Sequence, residues 1–276
     1  MKSFSLTCRN ETFFYNQILL PHLHRMFNLE KLTLNISIEG QEKFLDGNDL
    51  KKEIINHLPR LRQFTFNIRS IVQINHLFNV PSKESIQSTF TNCCSDNEII
   101  SDVDYFPSER KGQCHIYTYP HEMIFYDGIS NHFPGGIFKY VRQVMLFDER
   151  PFNQTFFLRI SRAFPFLKDL AVKNFQAQDR NLLDDNRNSS TIEYPSLTDL
   201  CLVDVHDDYA EQFLLDKKTF LSNPIWLLIT YETLQRITQN FTRDATRINS
   251  GKIRKITLVN RLSLPDHFYT YFSSLQ

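Results

Sequence analysis

The sequence predicts an α/β chain built from stacked strand–helix repeats, and three kinds of observation support this prediction. A short apolar phrase recurs along the chain, its copies are similarly spaced, and the stretches between copies have helical periodicity. The phrase is clearest in FPFLKDLAV at 164–172 and YPSLTDLCL at 194–202. Both begin with an aromatic residue, a proline and one variable residue. Both then read leucine, two polar residues, leucine, a variable residue and an aliphatic residue.

The shared motif is L-x-x-L-x-L, in which other aliphatic or aromatic residues can replace leucine, and it occurs at least six times. Its apolar positions are Leu29, Leu32 and Leu34; Leu61, Phe64 and Phe66; Val141, Val144 and Leu146; Leu167, Leu170 and Val172; Leu197, Leu200 and Leu202; Ile253, Ile256 and Leu258. A weaker copy keeps Leu227 and Ile229 but has Pro224 at the first position. From Val141 onward the copies start about 26 to 32 residues apart, a period typical of leucine-rich repeats.

The alternation within the motif indicates a strand with one buried face, and the leucine three residues upstream closes over the edge of that strand. One such strand cannot bury its apolar face alone, so the copies must stack. We therefore predict an irregular leucine-rich-repeat solenoid, a horseshoe with about eight strand–helix repeats. It is expected to form a single domain over residues 1–276. The alternative is an ordinary α/β domain in which the aromatic–proline pair only starts strands.

The stretches between the copies predict helices on the convex side of this solenoid. Apolar residues recur at helical spacing in 48–58, 82–92, 152–164, 207–221 and 231–248. We expect residues 1–25 to cap the N-terminal end, residues 92–112 to form an irregular insertion, and residues 261–276 to cap the C-terminal end. Three polar residues that follow their strands are expected to cap turns: Asn174, Asp204 and Asn260.

Composition excludes several classes of protein. The 276 residues include 31 Lys and Arg and 31 Asp and Glu, so the chain lacks the basic excess of a nucleic-acid-binding protein. The 25 phenylalanines and only 7 glycines favour packed layers over glycine-rich phosphate loops or disorder. No apolar run approaches the ~18 residues that a membrane helix needs. We expect no nucleic-acid partner, no membrane partner and a monomeric chain.

The cysteines indicate a reducing compartment. The five of them are Cys8, Cys93, Cys94, Cys114 and Cys201, an odd number at scattered positions that fits neither a disulfide framework nor a CxxC metal site. The N-terminal stretch MKSFSLTCRNETFFYNQILL lacks the continuous apolar core of a signal peptide. Glycosylation sequons occur at Asn10, Asn35, Asn153, Asn188 and Asn240. Without a signal sequence, chance explains them better than secretion does. We expect a cytoplasmic protein, with the nucleus as the alternative.

One cluster has the residue types of a metal site. The stretch VDVHDDY groups His206 with Asp204, Asp207 and Asp208. The other interpretation is that a strand ends here, Asp207 caps the next helix and Asp208 interacts favourably with its dipole. No second histidine lies at ligand spacing, which favours the structural interpretation.

A second cluster has the residue types of a thiol enzyme. The stretch CHIYTYPHEM places Cys114 beside His115 and near His121. Adjacent residues of a strand face opposite sides, so Cys114 and His115 cannot both line one site there. The chain also has no GxGxxG, P-loop or GxSxG motif. We therefore predict no catalytic residue, cofactor or metal; the alternative is a hydrolase or metal-dependent enzyme that uses residues 114–121 or 203–209.

Longer phrases resemble a known family. The stretches FNLEKLTLNI, LPRLRQFTFNI, AFPFLKDLAV, YPSLTDLCLVDVHDDYAEQFL and NFTRDATRI are together similar to the leucine-rich-repeat region of a large invertebrate family of F-box proteins. The resemblance covers roughly residues 12 to 260. In such proteins an N-terminal F-box binds a Skp1-type adaptor of a cullin ubiquitin ligase, and the repeats hold the substrate. The resemblance implies a non-enzymatic protein-interaction domain that acts as a ubiquitin-ligase receptor.

The chain departs from this family at its N-terminal end. An F-box opens with a helix start of the L-P-x-E type, and nothing before Met26 resembles it. The first motif already begins at Leu29. The resemblance therefore implies binding of a Skp1-type adaptor only if an F-box lies upstream of Met1. A non-functional fragment is the further alternative.

The residues between the buried motif positions should point to the opposite, concave face, where we expect an unknown protein substrate to bind. The predicted partner-binding residues are Lys31, Thr33, Asn35, Gln63, Thr65, Asn67, Gln143, Met145, Phe147, Asp169, Lys173 and Asp199. The same row continues through Ala171, Cys201, Val203, Lys255, Thr257 and Val259. Met145 and Phe147 are the strongest anchors, because large apolar side chains exposed on a sheet mark contact sites. The alternative is that a loop covers them.

Overall fold

The computed structural model describes residues 1–74, 79–91, 98–119, 122–178, 191–260 and 263–275. The chain divides into two compact units, Met1–Met123 and Ile124–Gln276. Each unit has its own main sheet, with five strands in the first and six in the second among the described residues.

The first unit is built around a mixed sheet. Its described strands are β1 (Ser3–Thr12), β2 (Lys31–Glu39), β3 (Gln63–Gln73), β4 (Glu98–Phe106) and β5 (Lys111–Tyr119). Its described helices are α1 (Leu20–His24), α2 (Gly47–Glu53) and α3 (Lys83–Ser88), with a π-helical turn at Tyr15–Leu19 and a 3-10 turn at Ile55–His57. The strand order is β1-β2-β3-β5-β4; β1 to β3 are parallel, and β5 is antiparallel to both of its neighbours.

Alternation of apolar and polar residues produces the core of this unit. Strands β2 and β3 pair without offset, so Leu32 lies opposite Phe64 and Leu34 lies opposite Phe66. All four side chains are buried, and Leu50 of α2 belongs to the same apolar cluster. The intervening residues of both strands therefore face the other side of the sheet.

A β-hairpin ends the series of parallel strands in the first unit. Strands β4 and β5 are joined by a turn in which the N–H of Arg110, at a φ of 50°, donates to the carbonyl of Pro107 at 3.2 Å. The sequence predicts an irregular insertion over 92–112, but residues 98–112 form regular strand and turn, and 92–97 lie outside the described residues. Ser101 takes the core-facing position between Ile99 and Val103, so β4 lacks the apolar row that would have indicated a strand.

The second unit is built around a parallel sheet. Its described strands are β6 (Phe125–Ile129), β7 (Gln143–Phe147), β8 (Asp169–Lys173), β9 (Ile192–Tyr194), β10 (Asp199–Leu202), β11 (Thr219–Leu221), β12 (Ile225–Thr230) and β13 (Ile253–Val259). Its described helices are α4 (Gln154–Ala163), α5 (Asp207–Leu214), α6 (Tyr231–Ile237), α7 (Arg247–Ser250) and α8 (Phe268–Tyr271), with a 3-10 turn at Asp244–Thr246. The main sheet has the order β13-β12-β10-β8-β7-β6, and β9 and β11 form a separate parallel pair.

The register of this sheet aligns the motif positions. Val144, Leu170, Leu200, Leu227 and Ile256 are successive partners across five strands. All except Ile256 are buried. The recurring motif thus supplies one apolar residue from each strand to a continuous row in the core.

Polar side chains close the turns at the carboxyl ends of β7 and β8. The Asp148 carboxylate accepts the backbone N–H and the side-chain amide of Asn131, both at 2.9 Å. Asn174 donates its side-chain amide to the carbonyl of Arg150 at 2.7 Å, so it caps this turn as the sequence predicts. Asp204 takes part through its backbone carbonyl, which accepts the N–H of Asn174 at 2.9 Å.

The predicted helix at 231–248 is interrupted by a left-handed segment. Gln239, Asn240 and Phe241 have φ values of 52°, 56° and 62°. A right-handed helix cannot pass through such residues. The segment directs the Phe241 ring onto that of Phe268 in α8, with the ring centroids 5.0 Å apart. Burial of Phe241 in this aromatic cluster offsets the conformational cost.

The structure is α/β, but the predicted leucine-rich-repeat solenoid is wrong. In place of one horseshoe with about eight repeats, the chain has two units, one with a mixed sheet and one with a parallel sheet. The antiparallel pairing of β5 ends the first parallel series at β3. The longest described helix, α4, has ten residues, and no described helix is long and apolar enough to span a membrane. A local motif predicts a strand but not the sheet that the strand joins.

Asn249 connects three backbone groups inside the second unit. Its side-chain amide donates to the carbonyls of Phe213 at 2.9 Å and Thr219 at 2.7 Å. Its side-chain oxygen accepts the N–H of Leu221 at 3.4 Å. Asn249 is fully buried, so water cannot replace it as a partner for these groups.

We expect Asn249→Ala to lower the free energy of unfolding by about 2–4 kcal/mol, because it leaves buried carbonyl and N–H groups without partners. Urea denaturation measures this loss. The control is Asn223→Ala, which removes a half-buried side chain that donates to one carbonyl and should cost less than about 1 kcal/mol. Equal losses in the two variants would contradict the role assigned to Asn249.

Candidate functional site

The predicted partner-binding residues are divided between the two sheets. Lys31, Thr33, Asn35, Gln63, Thr65 and Asn67 lie on β2 and β3, and Gln143, Met145, Phe147, Asp169, Lys173 and Asp199 lie on β7, β8 and β10. In both sheets these residues alternate with buried apolar residues, so they occupy the face opposite the core. That they bind a partner stays a prediction.

On the first sheet, only the beginning of the row is accessible. Lys31 and Gln63 are exposed, and the hydroxyls of Thr33 and Thr65, which lie 2.9 Å apart, are half-buried. Further along the strands, Asn35 and Asn67 are buried. Asn67 forms a short hydrogen bond through its side-chain oxygen to a ring nitrogen of His115. The buried half of this row therefore has a structural role.

Arg69 continues this row and organises the outer face of the first sheet. Its guanidinium donates to Ser37 Oγ at 3.2 Å, to Glu11 Oε1 at 3.1 Å and to Gln113 Oε1 at 3.4 Å. One side chain thus connects four strands, and its buried charge is paired, as a buried charge must be. Partial burial raises the pKa of Glu11, and the carboxyl of Glu39 adds to this effect, although Arg69 acts in the opposite direction.

Sequence reasoning did not identify Arg69. The signal was present, because Arg69 follows Asn67 at the next outward position of the same alternating strand. Its partner Glu11 lies 58 residues away, however, and no local pattern indicates that contact.

Two aspartates lie buried on the outer face of β4. Asp102 is opposite His115 and Asp104 is opposite Gln113 in the antiparallel ladder. Burial raises the pKa of Asp102 to about 7, and the nearby charge of Asp104 contributes in the same direction. Asp102 therefore changes its charge near neutral pH.

The raised pKa of Asp102 makes stability depend on pH. In the unfolded chain the pKa of this carboxyl is near its ordinary value of 3.8, and in the folded chain it is about 7. Between these two pH values the carboxyl is therefore protonated in the folded chain and ionised in the unfolded chain. Stability is then lost as the pH rises through this window. As the pH rises from 4 to 8, we expect the free energy of unfolding of Asp102→Asn to increase by roughly 2–4 kcal/mol relative to that of the wild type, because asparagine does not ionise. Urea denaturation measures this difference. The exposed Glu98 on the same strand provides the control Glu98→Gln. An unchanged difference between Asp102→Asn and wild type across this range would contradict the assignment.

The structure separates the residues of the first chemical cluster. Cys114 is fully buried in the core of the first unit, whereas His115 lies on the outer face beside Asn67. Burial raises the pKa of the Cys114 thiol, which opposes formation of a nucleophilic thiolate. His121 lies outside the described residues.

The second cluster, VDVHDDY, forms the start of a helix. His206 is the N-cap of α5, and its Nδ1 accepts the N–H of Asp208 at 3.2 Å. The sequence assigns this cap to Asp207, but Asp207 is the first helical residue and accepts two hydrogen bonds from Arg236, at 2.7 and 2.8 Å. Among the described residues, no group of three or more His, Cys, Asp and Glu side chains is arranged to hold a metal ion.

We expect His206→Ala to lower the free energy of unfolding by about 0.5–2 kcal/mol, because it removes the cap of α5. His206→Asn, whose side-chain oxygen also accepts a backbone N–H, should retain most of the stability. Thermal unfolding measures the stability of both variants, and metal analysis measures how much Zn²⁺ the wild type and His206→Ala bind. Stoichiometric zinc that is bound by the wild type and lost in His206→Ala would show instead that the cluster is a metal site.

The second sheet has an accessible outer side, called here the open face. It consists of Gln143, Met145, Phe147, Asp169, Ala171, Lys173, Asp199, Cys201, Val203, Trp226, Leu228, Thr230, Lys255, Thr257 and Val259. Each of these side chains is half-buried or exposed. Met145, Ala171, Cys201 and Leu228 are successive partners on four strands. They form a continuous apolar row across the middle of the open face.

Polar and aromatic residues flank this apolar row. Toward the amino ends of the strands, Gln143 Nε2 donates to Asp169 Oδ2 at 3.3 Å, and Asp199 accepts the hydroxyl of Thr198 at 2.6 Å. Toward the carboxyl ends, Lys173 Nζ lies 4.9 Å from the ring centroid of Phe147. Over β7 and β8 the row is thus bordered by a carboxylate toward the amino ends and by a cation on an aromatic ring toward the carboxyl ends, and Asp199 adds a second carboxylate on β10.

Trp226 was missed by sequence reasoning, although the alternation of Leu227 and Ile229 places it on the outer side. Its Nε1 donates to Thr257 Oγ1 at 3.0 Å, and Lys255 Nζ lies 3.8 Å from its ring centroid. The indole is held in place and is still 42% exposed. A fixed and exposed tryptophan is typical of a protein contact surface.

The chain matches no family model, no curated protein and no solved structure. The predicted kinship with F-box receptors is not tested by these comparisons and stays a prediction.

Proposed function

We propose that the chain is a non-enzymatic protein-interaction domain that binds a protein segment across the open face of the second sheet. The observation that carries this proposal is the apolar row of Met145, Ala171, Cys201 and Leu228, which is half-exposed and continuous over four strands. An apolar surface bordered by polar residues is the usual anatomy of a protein contact.

The dimensions of the open face fit one segment of secondary structure. Neighbouring strands lie ~4.8 Å apart, so the five strands β7, β8, β10, β12 and β13 span about 19 Å. A helix of about 13 residues has this length. An amphipathic helix that lies across the strands could therefore place its apolar stripe on the whole row.

The borders of the row indicate the chemistry of the partner. Asp169 and Asp199 lie on the side of the amino ends and favour basic residues on that flank of the bound helix. Lys173 lies on the side of the carboxyl ends and favours an acidic or polar residue there. Trp226, the register partner of Asp199 on the same flank, offers a large anchor for an apolar side chain, and Lys255 already lies on its ring.

The cysteine in the middle of the row supports binding over covalent catalysis. Partial burial raises the pKa of the Cys201 thiol, so at neutral pH it remains protonated and weakly nucleophilic. It contributes to the row as a small apolar side chain.

The resemblance to F-box receptors gives this binding role a biological setting as part of the same proposal. The bound segment would belong to a substrate of a ubiquitin ligase, and a Skp1-type adaptor would require an F-box module. The open face does not depend on this kinship, since its residues define a binding surface in any setting.

The test is the double variant Met145→Lys, Phe147→Glu. A displayed library of 14-residue helical segments is selected on the wild-type protein, and the selected peptides are measured by fluorescence anisotropy. We expect the double variant to weaken their binding by about 100-fold, because truncation or charge at a central apolar anchor costs about 1–2 kcal/mol or more at each position. Lys173 lies beside position 147 and can pair with the new carboxylate, so the variant should fold.

The control is the double variant Phe175→Glu, Ile248→Lys, which changes two exposed apolar residues outside the open face. It should bind the selected peptides as the wild type does. Circular dichroism and thermal unfolding establish that all three proteins are folded. The proposal is wrong if the library gives no binder, or if the peptides bind the folded Met145→Lys, Phe147→Glu variant unchanged.

A further inference from the structure

A second surface of the second unit combines exposed apolar side chains with positive charge. It lies in the turns that precede β7 and β8 and in the last turn of α4, at the amino ends of the strands and outside the open face. Ile137, Tyr140 and Phe166 are 57%, 52% and 49% exposed. We call these residues, together with Lys139, Arg142, Arg162 and Lys168, the aromatic edge.

The two turns lie side by side. The carbonyl of Arg142 accepts the N–H groups of Lys168 and Asp169 at 2.8 and 2.9 Å, so the parallel ladder continues to this end of the strands. Tyr140 and Phe166 each stand three residues before a paired position, Gln143 and Asp169, and therefore occupy equivalent places in neighbouring turns.

Buried aromatic residues fix these turns from the inside. Phe138 and Phe164, each two residues before an exposed aromatic residue, are buried and stacked with their ring centroids 5.2 Å apart. The N–H of Phe138 donates to the carbonyl of Ala163 at 2.8 Å. The exposed rings of Tyr140 and Phe166 are thus carried on an ordered support.

Arg142 is held in a defined orientation at the centre of the aromatic edge. Its Nη1 donates to the carbonyls of Lys139 at 2.7 Å and Val141 at 3.1 Å, and its guanidinium carbon lies 5.3 Å from the centroid of the Phe166 ring. In the part of the chain that the structure describes, Nε and Nη2 have no hydrogen-bond partner. These two N–H groups form the fork that a carboxylate can bind with both oxygens.

Within the two turns the charge has one sign, and the nearest carboxylate along the chain, Asp169, lies on the open face, where it accepts a hydrogen bond from Gln143. The segments 137–142 and 162–168 contain Lys139, Arg142, Arg162 and Lys168 and no carboxylate. The lysines and Arg162 are exposed. The aromatic edge is therefore complementary to a partner that carries negative charge next to apolar side chains.

We propose that the aromatic edge binds an acidic protein segment. One carboxylate of the segment binds the Nε and Nη2 groups of Arg142, and an adjacent apolar side chain packs on Phe166 and Tyr140. The exposed cations at positions 139, 162 and 168 attract the remaining carboxylates. An anionic membrane surface would use the same charges, but it does not require a fixed fork that matches a single carboxylate, so the orientation of Arg142 favours a protein segment.

The probe is a fluorescein-labelled twelve-residue peptide in which Asp and Glu alternate with Leu and Phe. Fluorescence anisotropy at low salt should show binding that weakens as salt is added. Lys139→Glu, Lys168→Glu should reduce the affinity at least about tenfold, because attraction becomes repulsion. Arg142→Lys and Arg142→Gln should both reduce the affinity about tenfold. Glutamine lacks the charge and the guanidinium, and lysine keeps the charge but lacks the fork that binds both carboxylate oxygens.

Matched variants separate the aromatic edge from unspecific effects. Phe166→Ser should weaken binding, whereas Phe175→Ser, an exposed phenylalanine beyond the other end of the same strand β8, should not. Lys217→Glu, an exposed lysine of the same unit, is the control for charge reversal. Thermal unfolding verifies that each variant is folded.

Several outcomes overturn the proposal. One is binding of the peptide that is insensitive to Lys139→Glu, Lys168→Glu. Others are full retention of affinity in Arg142→Lys, and equal binding of a control peptide with Asn and Gln in place of the acids. Sedimentation with vesicles of phosphatidylserine and phosphatidylcholine, without binding of the acidic peptide, would assign the surface to lipid instead. These outcomes do not decide the proposal for the open face, because its test variants change Met145 and Phe147 within β7, whereas the variants here change residues that precede β7 and β8.

Discussion

Successive strands of the second main sheet pair so that equivalent positions stand side by side, and this register fixes two surfaces at once. Leu170 and Leu200 are partners in the core, and Ala171 and Cys201 are partners on the open face. A slip of one residue would exchange the two sets, exposing the leucines and burying the outer residues. The loss of core burial opposes any such slip. The register therefore fixes the backbone positions of the open-face residues before a partner binds, which reduces the entropy lost on binding.

The two sheets use their outer faces differently. On the first, Arg69, Asn67 and His115 are buried in polar contacts that join neighbouring strands, so much of that face stabilises the unit. On the second, the row from Met145 to Leu228 remains half-exposed, and among the described residues no side-chain hydrogen bond joins its members. Buried polar contacts specify one arrangement of strands, whereas a half-exposed apolar row leaves free energy available for binding. This contrast is the reason to place recognition on the second unit.

The recurring motif was sufficient to predict most strands and the side of the sheet on which Met145 and Phe147 lie, because alternation is a local property of a strand. It could not predict the β4–β5 hairpin, because Ser101 takes a core-facing position of β4 at which the motif has an apolar residue. Nor could it predict the contacts of Arg69, whose partners Glu11 and Gln113 lie 58 and 44 residues away. The solenoid prediction failed for the same reason, since a local pattern does not determine which strands share a sheet. The two exposed aromatic residues of the aromatic edge occupy a turn position that the motif treats as variable.

The order of strands in the two sheets also has a consequence for folding. In the second main sheet, partners such as Gln143 and Asp169, Asp169 and Asp199, and Asp199 and Trp226 are 26, 30 and 27 residues apart, by subtraction of their numbers. Closing loops of such similar length has nearly the same entropic cost, so this sheet can grow from any adjacent pair, one strand at a time. In the first sheet, β5 lies between β3 and β4, and the antiparallel hairpin offers the more local first step. Two sheets encoded by similar phrases are thus expected to assemble in different orders.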